Sequence, residues 1–138
     1  MNAATKMATR VLVAIFVVVF LSAGPALATL PLIVGTNAGE RITGTKNAEE
    51  VRSLGGSDEI MDGLGGDLVY GGRGADNLIG YGGDTFVDRF YGGGGNDIVQ
   101  PRDVPAVKDV VRCGGGTDTV YADKADVVGG DCERVETW

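Results

Sequence analysis

Acidic residues recur at a fixed interval of nine between residues 35 and 79, and each stands two residues before an aliphatic one. The acids are Glu40, Glu49, Asp58, Asp67 and Asp76, and the aliphatic residues are Ile42, Val51, Ile60, Val69 and Leu78. Carboxylates repeated in equivalent surroundings favour repeated ion sites over an acid–base pair, because the members of such a pair need different environments. A hard cation such as calcium takes about six to eight oxygen ligands, from carboxylates and main-chain carbonyls.

Glycine-rich segments precede these acids and indicate how the chain would present them. The fourth position is glycine in three consecutive nine-residue units, at Gly56, Gly65 and Gly74, and residues 71–79 match G-G-x-G-x-D-x-U-x throughout. Glycine takes positive φ readily, so the first six positions can form a turn whose carbonyls converge near the acid. The last three positions are extended and bury only the eighth residue. This period is typical of an all-β, parallel solenoid that binds calcium.

The repeat continues beyond residue 79 with interruptions. Residues 80–87 fit a unit with one deletion, which puts Asp84 at the sixth position and Phe86 at the eighth. Residues 88–91 and 101–108 are then inserts. The pattern returns in residues 92–100 and 113–121, with Asp97 and Asp118 at the sixth position, and only its acidic and apolar end persists in 109–112 and 122–130. Residues 32–34 are expected to form an entry strand.

Residues 35–128 resemble the hemolysin-type (RTX) calcium-binding repeat family on the strength of these units. The resemblance implies a parallel β-roll with two units per coil and a calcium ion between stacked turns on the same side. Ligand acids would then pair Asp58 with Asp76 on one flank and Asp67 with Asp84 on the other, and Asp76 with Asp97 if residues 88–91 loop out. Carbonyls of Gly71, Arg73, Gly92 and Gly94 would complete the shells, and Asp118 would be a further ligand.

Two departures from the family pattern limit this expectation. Units 35–43 and 44–52 carry glutamate at the sixth position and have Ala38 and Asn47 in place of glycine at the fourth. We expect them to build the coil without binding an ion well. A single acid such as Asp118 can also be an ordinary solvated turn residue, because aspartate is common in turns.

The N-terminus and the charge balance predict an exported, acidic protein. Lys6 and Arg10 precede an apolar run, residues 11–21, and Ala26-Leu27-Ala28 follows, which predicts a signal peptide over residues 1–28 and a secreted, extracellular product. An uncleaved anchor is the alternative, although the run is shorter than the ~20 residues of a spanning helix. Residues 29–138 then hold ten basic and nineteen acidic residues, net −9, which argues against nucleic-acid binding. Such a glycine-rich, acidic chain should need calcium to fold.

Two cysteines lie in the C-terminal part, Cys113 and Cys132, separated by nineteen residues. That separation is close to one coil, and neighbouring strands lie about 4.7–4.9 Å apart, which suits a disulfide that clamps the last coil. Free thiols or an intermolecular link are the alternatives. Residues 129–138 are expected to form a cap, with Trp138 over the last apolar rung.

The residues that most enzymes use are sparse. The chain has no histidine, its serines lack the G-x-S-x-G frame, and it has no G-x-x-x-x-G-K-[ST] motif. We therefore expect a monomeric calcium-binding protein that is not an enzyme. A calcium-dependent adhesion module that binds cell-surface polysaccharide through exposed tyrosines is the alternative, with a polysaccharide-acting enzyme as a third reading. Another secreted protein is the other partner considered, docked at the open N-terminal end.

Overall fold

The structure is a computed structural model that describes residues 29–138. The predicted signal peptide, residues 1–28, lies outside the described residues. The strands are β1 (Leu32–Val34), β2 (Arg41–Thr43), β3 (Glu50–Arg52), β4 (Glu59–Met61), β5 (Leu68–Arg73), β6 (Asn77–Ile79), β7 (Arg89–Gly94), β8 (Ile98–Gln100), β9 (Val110–Gly115), β10 (Thr119–Ala122), β11 (Val127–Val128) and β12 (Arg134–Thr137). Within residues 29–138 there is no helix able to cross a membrane.

Successive strands alternate between two parallel sheets. The odd-numbered strands form one six-stranded sheet and the even-numbered strands form the other, each with neighbours in chain order. The chain therefore winds as a β-solenoid with two strands per coil. The predicted parallel β-roll with two units per coil is confirmed.

The spacing between paired strands changes in the middle of the chain. Glu50 of β3 pairs with Leu68 of β5, eighteen residues on, whereas Leu68 pairs with Arg89 of β7, twenty-one residues on. The same longer step separates Arg89 from Val110 of β9. The three extra residues lie in the turns 80–88 and 101–109, which have nine residues where the turn 62–67 has six.

The core between the sheets is filled mainly by one side chain from the extended last three positions of each unit. Each comes from the eighth position of a unit, and none is more than 6% exposed: Ile33, Ile42, Val51, Ile60, Val69, Leu78, Phe90, Val99, Val111 and Val120. Full burial of such a side chain contributes roughly 1.5–3 kcal/mol. The core is a single narrow column, so the turns that hold the coils in register also determine whether it forms.

The predicted alignment of residues 80–91 is wrong. Phe86 was expected in the core but is 58% exposed, and Phe90 is fully buried in its place. Residues 88–91 do not loop out, because 89–94 form β7 and the extra residues lie before it. Phe90 fits among smaller rungs because Gly80 lacks a Cβ, which would lie 3.3 Å from Phe90 Cζ.

The two ends of the solenoid differ from expectation in one respect. The entry strand is confirmed as β1. The disulfide between Cys113 and Cys132 is confirmed too, with Cα atoms 5.2 Å apart. The expected cover by Trp138 is wrong, because Trp138 is 61% exposed and Val135, the last rung, is 44% exposed. Residues 134–137 instead extend the second sheet as β12 beside β10.

Candidate metal centres in the turns

The turns stack in two rows on opposite edges of the sheets. Flank 1 comprises the segments that lead from the first sheet to the second: 35–40, 53–58, 71–76, 92–97, 113–118 and 129–133. In the third, fourth and fifth of these, the first three residues are the ends of β5, β7 and β9. Flank 2 comprises the turns that lead back: 44–49, 62–67, 80–88, 101–109 and 123–126. Every sixth-position acid ends a turn and directly precedes a strand, so the strand register stacks these acids along each flank.

On flank 1 the sixth-position acids form a hydrogen-bonded ladder. The backbone N–H of Asp58 donates to Asp76 Oδ1 at 2.9 Å, that of Asp76 to Asp97 Oδ1 at 2.9 Å, and that of Asp97 to Asp118 Oδ1 at 2.7 Å. Each carboxylate thus uses one oxygen to hold the preceding coil. The structure therefore brings Asp58, Asp76, Asp97 and Asp118 into one row, which contains the predicted neighbours Asp58 and Asp76 and places Asp97 beside Asp76 without a loop at residues 88–91.

The second oxygen of each of these carboxylates is left over. Oδ2 of Asp58, Asp76, Asp97 and Asp118 is buried and has no hydrogen-bond partner. Burying a charged oxygen without a partner is costly, and such groups in proteins are normally hydrogen-bonded or bound to a metal. Four repetitions of the same unpartnered oxygen point to a shared, repeated ligand.

Carbonyl oxygens converge on these leftover carboxylate oxygens beside two glycines. A Cβ built on Gly71 would lie 2.8 Å from Asp76 Oδ2 and 2.6 Å from the carbonyl oxygen of Gly92. A Cβ on Gly92 would lie 2.5 Å from Asp97 Oδ2 and 2.6 Å from the carbonyl oxygen of Cys113. A carboxylate oxygen of the same turn and a carbonyl oxygen of the next coil thus approach each glycine so closely that a side chain would not fit, and the two oxygens are the kind of donor set that calcium prefers.

The four predicted carbonyl ligands differ in what they contact. The Gly92 carbonyl oxygen lies close to Gly71, on the side where Asp76 Oδ2 also lies. The Gly71 carbonyl accepts a hydrogen bond from the Ser53 hydroxyl, and the Gly94 carbonyl accepts one from the N–H of Gly74 at 2.8 Å. Arg73 lies in β5 opposite Gly94. Gly92 is therefore the one of the four that the structure brings against a leftover carboxylate oxygen.

In the first turn of each flank, both oxygens of the sixth-position carboxylate accept hydrogen bonds from a residue of the same turn. Thr36 donates its N–H to one Glu40 carboxylate oxygen at 2.8 Å and its hydroxyl to the other at 2.6 Å. Thr45 donates in the same way to both oxygens of Glu49. The Glu40 and Glu49 carboxylates are thus satisfied within their own turns, which agrees with the expectation that these turns bind an ion poorly.

Flank 2 carries a ladder of its own with a different membership from the predicted one. The N–H of Asp67 donates to Asp88 Oδ1 at 2.7 Å, and that of Asp88 donates to Asp109 Oδ1 at 2.8 Å. Asp88 therefore occupies the sixth position assigned to Asp84, and that assignment is wrong. Asp84 lies earlier in the long turn, where it accepts hydrogen bonds from the N–H groups of Gly65 and Phe86.

Two groups of three carboxylates lie around Asp88. One comprises Asp62, Asp67 and Asp88, and the other Asp84, Asp88 and Asp103; in each group one oxygen per residue lies within 4.8 Å of the others. Oδ2 of Asp62, Asp67, Asp103 and Asp109 is buried without a partner. The long turns 80–88 and 101–109 thus concentrate negative charge on flank 2.

Burial raises the pKa of these carboxyls well above the ordinary value of 3.8. The pKa of Asp62 rises to about 8, through burial and then repulsion from Asp88. Burial also raises the pKa of Asp67 and Asp88 to about 7 and that of Asp76 and Asp97 to about 6. The pKa of Asp109 is raised by burial and by the nearby carboxyl of Asp103. Without a cation Asp62, Asp67 and Asp88 therefore hold protons near neutral pH, and a bound cation would displace them.

Sequence reasoning missed Asp62, Asp88, Asp103 and Asp109 as site residues. A signal for Asp88 is present, because Asp67-Leu68-Val69-Tyr70-Gly71-Gly72 recurs as Asp88-Arg89-Phe90-Tyr91-Gly92-Gly93. Aligning these two segments places the three extra residues before Asp88. No periodic signal marks Asp62, which stands at the first position of its unit, or Asp103, which lies in the long turn.

The fold and the buried acids are compatible with calcium binding, and the disulfide indicates an oxidising compartment. The outer tyrosines Tyr70 and Tyr91 stack on each other, with ring centroids 4.8 Å apart.

In comparisons with known proteins, no family model, no curated protein and no solved structure matches the chain.

Proposed function

We propose that this chain is a secreted calcium-binding protein of the hemolysin-type repeat kind, and that calcium held in the turns is needed for the fold. The observation that carries the proposal is the row of buried, unpartnered Oδ2 atoms on flank 1. A cation is the simplest partner for a buried carboxylate oxygen that faces a carbonyl. No enzymatic role is part of the proposal.

The best-supported sites are the donor pairs beside Gly71 and Gly92, namely Asp76 Oδ2 with the Gly92 carbonyl and Asp97 Oδ2 with the Cys113 carbonyl. Each would hold a calcium ion between a leftover Asp oxygen and the carbonyl of the next coil, with water or further carbonyls completing the shell. Asp76 and Asp97 supply the charge and fix the ion's position, since their other oxygens are bound to backbone amides. At Asp118 the first position is Cys113, which carries a disulfide-bonded side chain where the turns of Asp76 and Asp97 have glycine.

Calcium would be coupled to folding because the rest of the molecule has little to stabilise it. The core is one residue wide and the chain is strongly acidic, so stacked aspartates repel one another in the folded state. Ions between the coils would replace this repulsion with attraction at every step. Export through the predicted signal peptide would bring the chain to millimolar calcium, the range in which extracellular calcium modules work.

The test is a calcium titration of residues 29–138 in oxidised form, followed by circular dichroism and calorimetry. We expect the β-sheet signal to rise with calcium at about 10⁻⁴–10⁻³ M, and heat of binding over the same range. Magnesium at equal concentration is the control, because it demands octahedral geometry at shorter distances and should act weakly. A chain that shows no binding below about 10 mM calcium would overturn the proposal.

A paired variant locates the sites. Asp76→Asn removes the charge but keeps an oxygen that can accept the N–H of Asp58, so calcium binding should fall while the ladder persists. Glu40→Gln is the matched control at the sixth position of the same flank, where Thr36 already satisfies the carboxylate. Equal calcium binding by both variants would place the ions elsewhere.

A further inference from the structure

The inner side of the turns 62–67 and 80–88 holds a carboxylate that the repeat does not require. Asp62 stands at the first position of its unit, where the turns of Asp76 and Asp97 have Gly71 and Gly92. Its side chain is fully buried and lies beside the sixth-position acids Asp67 and Asp88. We call these three residues the acid centre.

Backbone amides hold all three carboxylates of the acid centre in place. Asp62 Oδ1 accepts the N–H of Tyr81 at 2.7 Å, Asp67 Oδ1 accepts that of Glu49 at 2.7 Å, and Asp88 Oδ1 accepts that of Asp67 at 2.7 Å. Oδ2 of Asp62 and Asp67 is buried and has no partner. The three residues are at most 2% exposed, and one oxygen from each lies within 4.8 Å of the other two.

No basic side chain among the described residues forms an ion pair with these three carboxylates. The ion pairs among residues 29–138 join Arg41 to Glu59 and Arg52 to Glu50, both on the outer faces of the sheets. Three buried carboxylates without a basic partner are stable only with protons or a cation between them. Backbone hydrogen bonds fix the three carboxylates with one oxygen of each close to the other two, and this arrangement favours a cation. Protonation alone would not require the three oxygens to lie close together.

We propose that Asp62, Asp67 and Asp88 form a cation site distinct from the turn sites of flank 1, built from three side-chain carboxylates and suited to calcium. A turn site of flank 1 offers one leftover carboxylate oxygen, whereas this site offers three carboxylates. Ligand charge and rigidity tune calcium affinity, so the acid centre binds more tightly than the turn sites and fills first. Asp84 and Asp103, close to Asp88 on its other side, strengthen the negative potential there. The site stands or falls separately from the turn sites of the proposed function.

The test is calorimetric titration of calcium into oxidised residues 29–138. We expect one tight site whose dissociation constant is about tenfold or more below that of the remaining sites. Asp62→Asn keeps an acceptor for the Tyr81 N–H and should abolish the tight site while the weaker class remains. Asp76→Asn should do the reverse, so failure of the turn sites and failure of the acid centre give different results.

A second variant separates ion loss from misfolding. Asp62→Ser copies Ser53, which stands at the first position of its own unit and is buried there, so it tests the site with a side chain that this fold already accepts. A folded Asp62→Ser or Asp62→Asn protein that retains the tight site overturns the proposal. A wild-type isotherm with a single class of sites, unchanged by Asp62→Asn, overturns it as well.

Discussion

The turns of the first coil and those of the central coils share a backbone plan but treat their acids in opposite ways. Glu40 and Glu49 reach back to a threonine of their own turn, which donates to both carboxylate oxygens. Asp76 and Asp97 give one oxygen to a neighbouring amide and leave the other buried and unpartnered. The first coil thus satisfies its carboxylates within the chain, whereas each central turn leaves one buried carboxylate oxygen without a partner.

The two kinds of turn differ in the length of the acidic side chain and in whether the second position carries a threonine hydroxyl. The longer glutamate side chain returns to the second position of its turn, where Thr36 or Thr45 supplies two donors. Aspartate is shorter, and the second position of its turn is glycine in the matching units, at Gly72 and Gly93. In the last coil the disulfide between Cys113 and Cys132 joins neighbouring turns of flank 1 covalently, while Oδ2 of Asp118 still has no partner.

Acidification should stabilise the metal-free protein. Burial raises the pKa of Asp62 to about 8 and that of Asp67 and Asp88 to about 7, against 3.8 in the unfolded chain. The folded state therefore binds more protons between these values, so this stability is complete below about pH 4 and is lost as the pH rises through about 7 to 8. We expect a loss on the order of several kcal/mol, measured by calorimetric melting with a chelator. Lower stability at about pH 5 than at pH 8 would contradict the description of the central turns.

Removal of the disulfide should be the next largest effect. Cys113→Ser with Cys132→Ser opens a loop of about nineteen residues, and such a loop contributes roughly 3 kcal/mol. The loss should concentrate in β9 to β12, leaving the first coil protected, which hydrogen exchange can resolve strand by strand. Uniform loss of protection along all coils would show that the last coil is not held separately.

Exchange of the two kinds of turn tests the comparison itself. Thr36→Gly with Glu40→Asp gives the first turn of flank 1 the second-position glycine and the acid of the Asp76 turn. The new aspartate should leave an oxygen facing the Ser53 carbonyl, which lies 2.9 Å from a Cβ built on Gly35. We expect one additional calcium ion per chain by calorimetry, and about 1 kcal/mol lower stability in chelator, since hydrogen bonds to a charged group are lost. Unchanged stoichiometry would mean that the acid and the glycine do not suffice.

The smallest expected effect concerns Leu54, which is the one non-glycine residue with positive φ, 76°, among residues 29–138. The matching positions in other turns are Gly63, Gly72, Gly93 and Gly114. Leu54→Gly removes a backbone cost of roughly 1–2 kcal/mol but adds a similar amount of unfolded-state entropy, so stability should change by less than about 1 kcal/mol. Gly72→Leu is the contrast, because its Cβ would clash with the Leu54 carbonyl, and thermal melting should show a large loss.

Much of the fold follows from the period, and much of flank 2 does not. The nine-residue spacing places Val51, Ile60, Val69 and Leu78 in the core because the side-chain direction in each strand depends only on position in the unit. Between residues 80 and 91 the spacing alone allows a deletion followed by an insert, or a single three-residue extension. Strand pairing decides for the extension, since it gives β7 an unbroken ladder with β5 and buries Phe90.

The acid centre shows a second limit of sequence reasoning. Asp62, Asp67 and Asp88 meet because a long turn returns to the coil before it, and this closeness depends on three-dimensional stacking that no local motif records. The disulfide was predictable because its partners are one coil apart. The acid centre was not predictable in this way, because it combines the first position of one turn with the sixth positions of two coils.

The most direct test of the account is the stability of Asp76→Asn relative to the wild type, measured by chemical unfolding with excess chelator and again in saturating calcium. In chelator the variant should be more stable, because it removes a buried charge and keeps the acceptor for the Asp58 N–H. In calcium at about 100 times its dissociation constant it should be less stable by about 2–3 kcal/mol, the contribution of one lost ion. Reversal of sign between the two conditions is the predicted result. A variant that is less stable than the wild type by the same amount in both would contradict the claim that a cation completes the central turns.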